Sequence, residues 1–181
     1  MNMLRKIIIL CVFITFLHSI GITAQSLSEL DAHVLKLDWE YKRDVPIYEN
    51  RDSSKILAKV GHLYEDESPI GFFVQDTMSV NGWLKVQVYW EDRIMNEEII
   101  GYIHLEKYIV ITPKIYQSTP IFESPYAQSP TCTVNIGQFS LSVQKYFKGW
   151  VYVSFYDASN KLITGWIAPY SQCPLMFTTC N

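Results

Sequence analysis

From Val34 the chain alternates. Leu35, Leu37, Trp39 and Tyr41 fall on one side, and Lys36, Asp38, Glu40 and Lys42 on the other. A period of two predicts a strand. Ahead of it, Ser26 and Glu29 fit a capping box, which predicts a short helix over 27–33. Val45-Pro46-Ile47-Tyr48 reads as extended, because proline biases itself and its predecessor away from helix. Polar residues 49–54 follow, then an apolar strand over 56–60 and an acidic break through Glu65-Asp66-Glu67 to Pro69. A strand over 71–76 leads to a turn at Asn81-Gly82. The strand after it is the longest, 83–90, with Trp83, Lys85, Gln87 and Tyr89 on one face and Leu84, Val86, Val88 and Trp90 on the other. Glu91 to Glu98 reads as a charged hairpin loop and 99–103 as its return. His104–Lys107 suggests one helical turn, and Tyr108–Ile111 a last strand.

The second half repeats the first. Pro46-Ile47-Tyr48, Gly82-Trp83 and Gly101-Tyr102-Ile103 recur in the same order as Pro120-Ile121-Phe122, Gly149-Trp150 and Gly165-Trp166-Ile167. Internal similarity of this kind frames the fold. It places strands over 120–122, 132–136, 139–143, 150–155 and 163–167, a hairpin loop at 157–161 and a turn at 169–171. The boundary between copies falls near Thr112-Pro113. Many short strands and no long helical pattern predict an all-β protein of two small barrels, one spanning 25–111 with an N-terminal extension and the other 112–181.

Composition narrows the partners. The net charge is −3, with 15 basic and 18 acidic residues. Residues 1–24 read as a secretory signal: Arg5-Lys6, an apolar run from Ile7 to Leu17 broken only by Thr15, then small residues ending at Ala24. The run is shorter than the ~18–20 residues needed to span a bilayer. Cleavage after Ala24 is the expected site, with Gly21 as the alternative, and an uncleaved anchor is the competing reading. Cys11 follows Leu10 rather than a small residue, which argues against a lipoprotein. Removing Arg5 and Lys6 leaves 13 basic residues against 18 acidic, a net −5. With no basic cluster, nucleic acid and anionic lipid are poor partners. The expected location is outside the cytoplasm, periplasmic or secreted.

Three cysteines follow the leader: Cys132, Cys173 and Cys180. An exported protein can form one disulfide among them and leave one thiol over, and all three pairings stay open. Histidines 33, 62 and 104 all precede the second copy. No serine elbow, zinc spacing or phosphate loop is present, and the expectation is a protein without catalysis or cofactor. Glu65-Asp66-Glu67 with Asp76 is a conceivable Ca²⁺ cluster. It lacks the alternating ligands and glycine of a calcium loop, so a solvated turn is the preferred reading.

The ordered triple of a Pro-x-aromatic strand, a Gly-Trp strand and a Gly-aromatic-Ile return resembles the bacterial SH3-like (SH3b) domain, twice over. The resemblance covers roughly 34–111 and 112–177. It implies two five- to six-stranded, partly open barrels in an exported protein that binds cell-wall peptide or docks on another protein. It also implies a ligand groove lined in the first copy by Tyr48, Trp83 and Tyr108. In the second copy it implies Phe122 and Trp150. There, Gln172 stands where Tyr108 stands in the first, and Tyr170 is the nearby substitute. Tyr102 and Trp166 are expected in the core.

Overall fold

The computed structural model describes residues 34–52, 54–61, 70–90, 99–114, 118–136 and 140–173. The leader, the helix expected over 27–33, the acidic run 65–67, the loop 91–98 and Cys180 lie outside them. Among the described residues the fold is all-β: twelve strands form one antiparallel sheet that does not close on itself. No helix among the described residues is long and apolar enough to cross a membrane.

The first copy contributes β1 (Val34–Leu37), β2 (Val45–Tyr48), β3 (Ile56–Val60), β4 (Ile70–Val74), β5 (Trp83–Trp90) and β6 (Ile100–His104). Then come β7 (Ile109–Ile111), β8 (Thr119–Phe122), β9 (Thr131–Val134), β10 (Leu141–Phe147), β11 (Trp150–Tyr156) and β12 (Leu162–Ile167). A short 3-10 helix covers Pro169–Ser171. The sheet order is β3-β2-β6-β5-β4-β1-β7-β10-β11-β12-β8-β9. Exchange the strands of one copy for those of the other, and the order reads the same from both ends. The seam is β1 against β7, with Lys36 opposite Val110 and Leu37 opposite Ile109. Lys36 and Val110 each lie ten residues before the repeated proline, at Pro46 and Pro120, so equivalent residues face each other. β7 therefore has two partners, β1 of the first copy and β10 of the second. The expected boundary near 112 comes just after this shared strand.

Each repeated mark has a local physical cause. Asn81 and Gly82 have φ of 51° and 80°, and Lys148 and Gly149 have 46° and 85°. Positive φ at both central residues is what a two-residue type I′ hairpin needs. Gly-Trp is thus the end of that turn and the first residue of the long strand. Gly101 and Gly165 mark a second constraint. A Cβ on Gly101 would stand 2.6 Å from Ile47 Cγ2 and 2.7 Å from Tyr48 O. One on Gly165 would run into the equivalent atoms, Ile121 Cγ2 and Phe122 O. Only a residue without a side chain lets β2 cross β6, and β8 cross β12, so closely.

The core is one connected cluster through both copies. It includes Leu35, Ile47, Leu84, Val86 and Ile103 from the first and Ile121, Leu141, Val151, Val153 and Ile167 from the second. The alternation along β5 is as expected: Leu84, Val86 and Val88 are buried, while Trp83, Lys85 and Gln87 are half-exposed.

Two local expectations differ. β1 stops at Leu37, because Tyr41 N–H donates to Asp38 O at 3.0 Å and Glu40 N–H to the Asp38 carboxylate, also at 3.0 Å, which makes a turn. Residues 104–107 form the end of β6 and a turn rather than a helical turn.

Candidate functional site

The type I′ turn and the β5–β6 register bring the first-copy residues together. Trp83 is the first residue of β5 and pairs with His104 at the end of β6. Its ring meets the His104 ring edge-on at 5.1 Å between centroids. Tyr48, carried by β2, also meets it edge-on, at 5.2 Å and 86°. Both geometries suit the quadrupoles of aromatic rings. Trp83 is half-buried, so the indole fills part of the cluster and shows part to solvent. Leu84 and Val86 turn the other way into the core.

Tyr108 is more deeply set, 8% exposed. Its ring stacks on Tyr41 at 4.3 Å and 29°. Burial pushes the Tyr108 phenol up to about 12, aided by the Glu106 charge and then by Tyr41 and Tyr48. Tyr108 is thus a buried ring stacked on Tyr41 rather than an exposed groove wall. Tyr41 and His104 are members that the repeat did not point to. Tyr41 lay on the apolar side of the opening alternation, but its place beside Tyr108 depends on the turn at Asp38. His104 follows from its register opposite Trp83, which becomes visible only once β5 and β6 are paired. The Nδ1 of His104 also lies 3.7 Å from Glu106 Oε1.

A polar group borders the cluster. Arg51 donates to Asp76 Oδ2 at 3.0 Å, and the same oxygen accepts the Lys85 N–H at 2.9 Å. The guanidinium lies 5.5 Å from the Tyr102 ring centroid. Asp76 therefore holds Arg51 against the start of β5. Among the described residues no group of three or more His, Cys, Asp and Glu is placed to hold a metal ion. Tyr102 and Trp166 are half-buried on the outer face, not core as expected, because they alternate with the buried Gly101 and Ile103, and Gly165 and Ile167.

The second copy keeps the aromatic pair and loses the rest. Phe122 and Trp150 meet edge-on at 5.1 Å and 88°, nearly the geometry of Tyr48 and Trp83. Ala168 stands where His104 stands in the first copy. Gln172 replaces Tyr108, is 8% exposed, and donates through Nε2 to Gly149 O at 2.7 Å and Ile167 O at 3.2 Å. It fastens the β10–β11 turn to the end of β12. Tyr170 sits on the 3-10 helix and is 61% exposed.

Cys132 is a free, exposed thiol on β9, the last strand of the sheet. The two pairings that use it are therefore not formed. Cys173 is buried beside Thr112, whose carbonyl accepts the Cys173 N–H at 2.8 Å.

No protein-family model, curated protein or solved structure matches this chain.

Proposed function

We propose that this chain is an exported, non-enzymatic binding protein made of two tandem SH3-like barrels, and that its first copy holds a peptide-like ligand against Trp83. Cell-wall peptide is the first candidate ligand. Two features support the barrel reading: each copy supplies six strands in the same pairing, and glycine marks the same crossing in both. The binding reading rests on one observation. Trp83 stands half-exposed against the rings of Tyr48 and His104, while Leu84 and Val86 after it hold the core. A broad indole edge with rigid aromatic neighbours offers contact area at small entropic cost.

The same arrangement supports a binding role over a catalytic one. Cys132 is at one end of the sheet order, and His104 belongs to β6 of the other copy. The leader reading supports export.

The test is retention of the purified chain on peptidoglycan, with Trp83→Ala and Trp150→Ala beside it. Trp83→Ala is expected to weaken retention by more than ~1 kcal/mol with an unchanged far-ultraviolet spectrum. Trp150→Ala is expected to change it less than threefold, because its pair has lost the surrounding groups. Equal loss from both variants would refute the assignment to the first copy.

A second reading is a module that docks on a protein partner. It is favoured by β3 and β9, which end the sheet and present outer edges among the described residues. Such edges accept an added strand. Failure to bind peptidoglycan, together with co-purification of one discrete protein, would select it.

A further inference from the structure

Where the first copy packs Arg51 over Tyr102, the second copy has an opening. Pro125 stands at the place of Arg51, three residues after the repeated aromatic, and Trp166 at the place of Tyr102. A cavity of about 470 Å³ lies there, lined by Pro125, Trp166 and Phe147 from the second copy. Its opposite wall comes from the first: Met78, Ser79 and the type I′ residues Asn81 and Gly82. The size is that of a small-molecule site, about 300–1,000 Å³. The wall is held in place. Ser79 N–H donates to Tyr146 O at 2.9 Å, Tyr146 N–H donates to Ser79 Oγ at 3.0 Å, and Lys148 N–H donates to Thr77 O.

The cavity also has a built polar rim. β10 carries a bulge between Val143 and Lys145. The bulge breaks the alternation, so that Gln144 and Lys145 are both exposed between the buried Val143 and Tyr146, and both line the cavity. Bulges re-aim side chains in this way. The Lys145 ammonium lies 5.2 Å from the Tyr152 ring centroid, and Tyr152 meets Trp166 edge-on at 5.4 Å, so the charge is held beside the indole wall. Lys148, from the β10–β11 turn, lies over the Phe147 ring at 5.6 Å. No Asp or Glu is among the lining residues. On a chain of net −3, this is a locally positive, aromatic-walled opening.

We propose that this cavity between the two copies is a second binding site, distinct from the Trp83 cluster, for the C-terminal residue of a peptide that ends in an aromatic or large aliphatic side chain. The side chain stacks on Trp166 and Phe147. The terminal carboxylate faces Lys145, with the Gln144 amide beside it. Because both copies supply walls, the site exists only in the joined molecule.

The probe is N-acetyl-phenylalanine, titrated into the full chain and followed by isotope-edited NMR. A saturable response of the cavity residues is expected, with a Kd on the order of 1 mM for so small a ligand. N-acetyl-phenylalanine amide is expected to bind roughly three- to tenfold more weakly, and Lys145→Gln to erase that difference. Met78→Trp, at an exposed position, is expected to fill the opening and abolish the response. Trp83→Ala is expected to leave it unchanged, which separates this site from the first-copy groove. Equal binding of acid and amide, or no saturable shift at about 10 mM, overturns the proposal. So does a response lost in Trp83→Ala but kept in Met78→Trp.

Discussion

Trp83 and Tyr108 are set differently around Tyr48. Trp83 is half-exposed against Tyr48 and His104, whereas Tyr108 is buried and stacks on Tyr41. Tyr108 and Tyr146 also carry a pH signature. Burial pushes both phenols up to about 12; for Tyr146 this outweighs a backbone hydrogen bond at Gly149 that acts the other way. A phenol whose folded value is raised favours the neutral form in the native state. Its contribution to stability is complete below the unfolded value of about 10 and is lost as pH rises from there towards 12. Stability measured by urea unfolding is therefore expected to fall between pH 10 and 12. Spectrophotometric titration is expected to show Tyr108 and Tyr146 ionising late, and Tyr146→Phe to remove one late step. A titration in which all tyrosines ionise together near pH 10 would contradict the buried placement. At the exposed end, the Asp157 carboxyl is held below its ordinary value by the Ser159 hydroxyl and then the Lys161 N–H, an arrangement that shapes the β11–β12 turn.

Among the elements, the crossing of β2 over β6 and of β8 over β12 is where sequence and structure meet most directly. Gly101→Ala would drive a Cβ into Tyr48 O, a backbone atom that cannot step aside, and the cost is expected to reach about 2 kcal/mol or more. Gly71→Ala in β4 is the control: its nearest neighbours, Tyr89 Cδ1 and Val34 Cγ1, would be at 3.4 Å, an ordinary contact. Denaturant midpoints of the two variants and of Gly165→Ala decide it, with Gly101 and Gly165 falling together and Gly71 changing little. These marks were legible in the sequence because each answers a local demand: a turn needing positive φ, a crossing needing no side chain, an alternation with one buried face. The pairing of Tyr48 with Trp83, and of Phe122 with Trp150, was implied by the resemblance to the SH3-like domain rather than by a local mark. Other parts carried no such local mark. His104 joins the cluster through register, and Tyr102 and Trp166 carry no sign of their outward face, because a glycine-flanked aromatic reads the same on either side. The bulge that turns Gln144 and Lys145 outward leaves no trace in an ordinary polar pair. The C-terminal element adds a covalent expectation. With Cys132 free, Cys173 has Cys180 as its remaining partner after the leader, and a bridge between them would close a short loop, worth on the order of 2–3 kcal/mol in the chain-entropy model. Non-reducing peptide mapping is expected to give a Cys173–Cys180 cross-link and a Cys132 that alkylates without denaturant; a linked Cys132 would contradict it.

At the scale of the whole molecule, the sequence divides more readily than the structure does. The repeat suggests two separable barrels, and each copy does have its own set of six paired strands. Yet β7 serves both, pairing with β1 on one edge and β10 on the other, and residues 34–173 lie within one compact unit. The seam left no repeat mark because it is made by one copy on the other, through Leu35, Leu37, Ile109 and Ile111, which read only as ordinary strand apolars. A cut between Ile111 and Thr112 would leave the second copy without β7, exposing the edge of β10 at Leu141 and Ser142 and opening the core beneath it. The first copy would keep β7 but lose the cover on its far edge. Thr77 and Ser79 would also lose their bonds to Lys148 and Tyr146. Urea unfolding of the chain is thus expected to show one transition, with tryptophan fluorescence and far-ultraviolet dichroism coincident. The fragment 112–181 is expected to be unfolded alone and to gain strand signal only when mixed with 25–111. Two resolved transitions, or a fragment 112–181 that unfolds cooperatively by itself, would show that the copies are independent domains and that the shared strand is a contact rather than a common core. That outcome would also remove the cavity at Trp166 and Met78 as a site, since its two walls would no longer be held to one another.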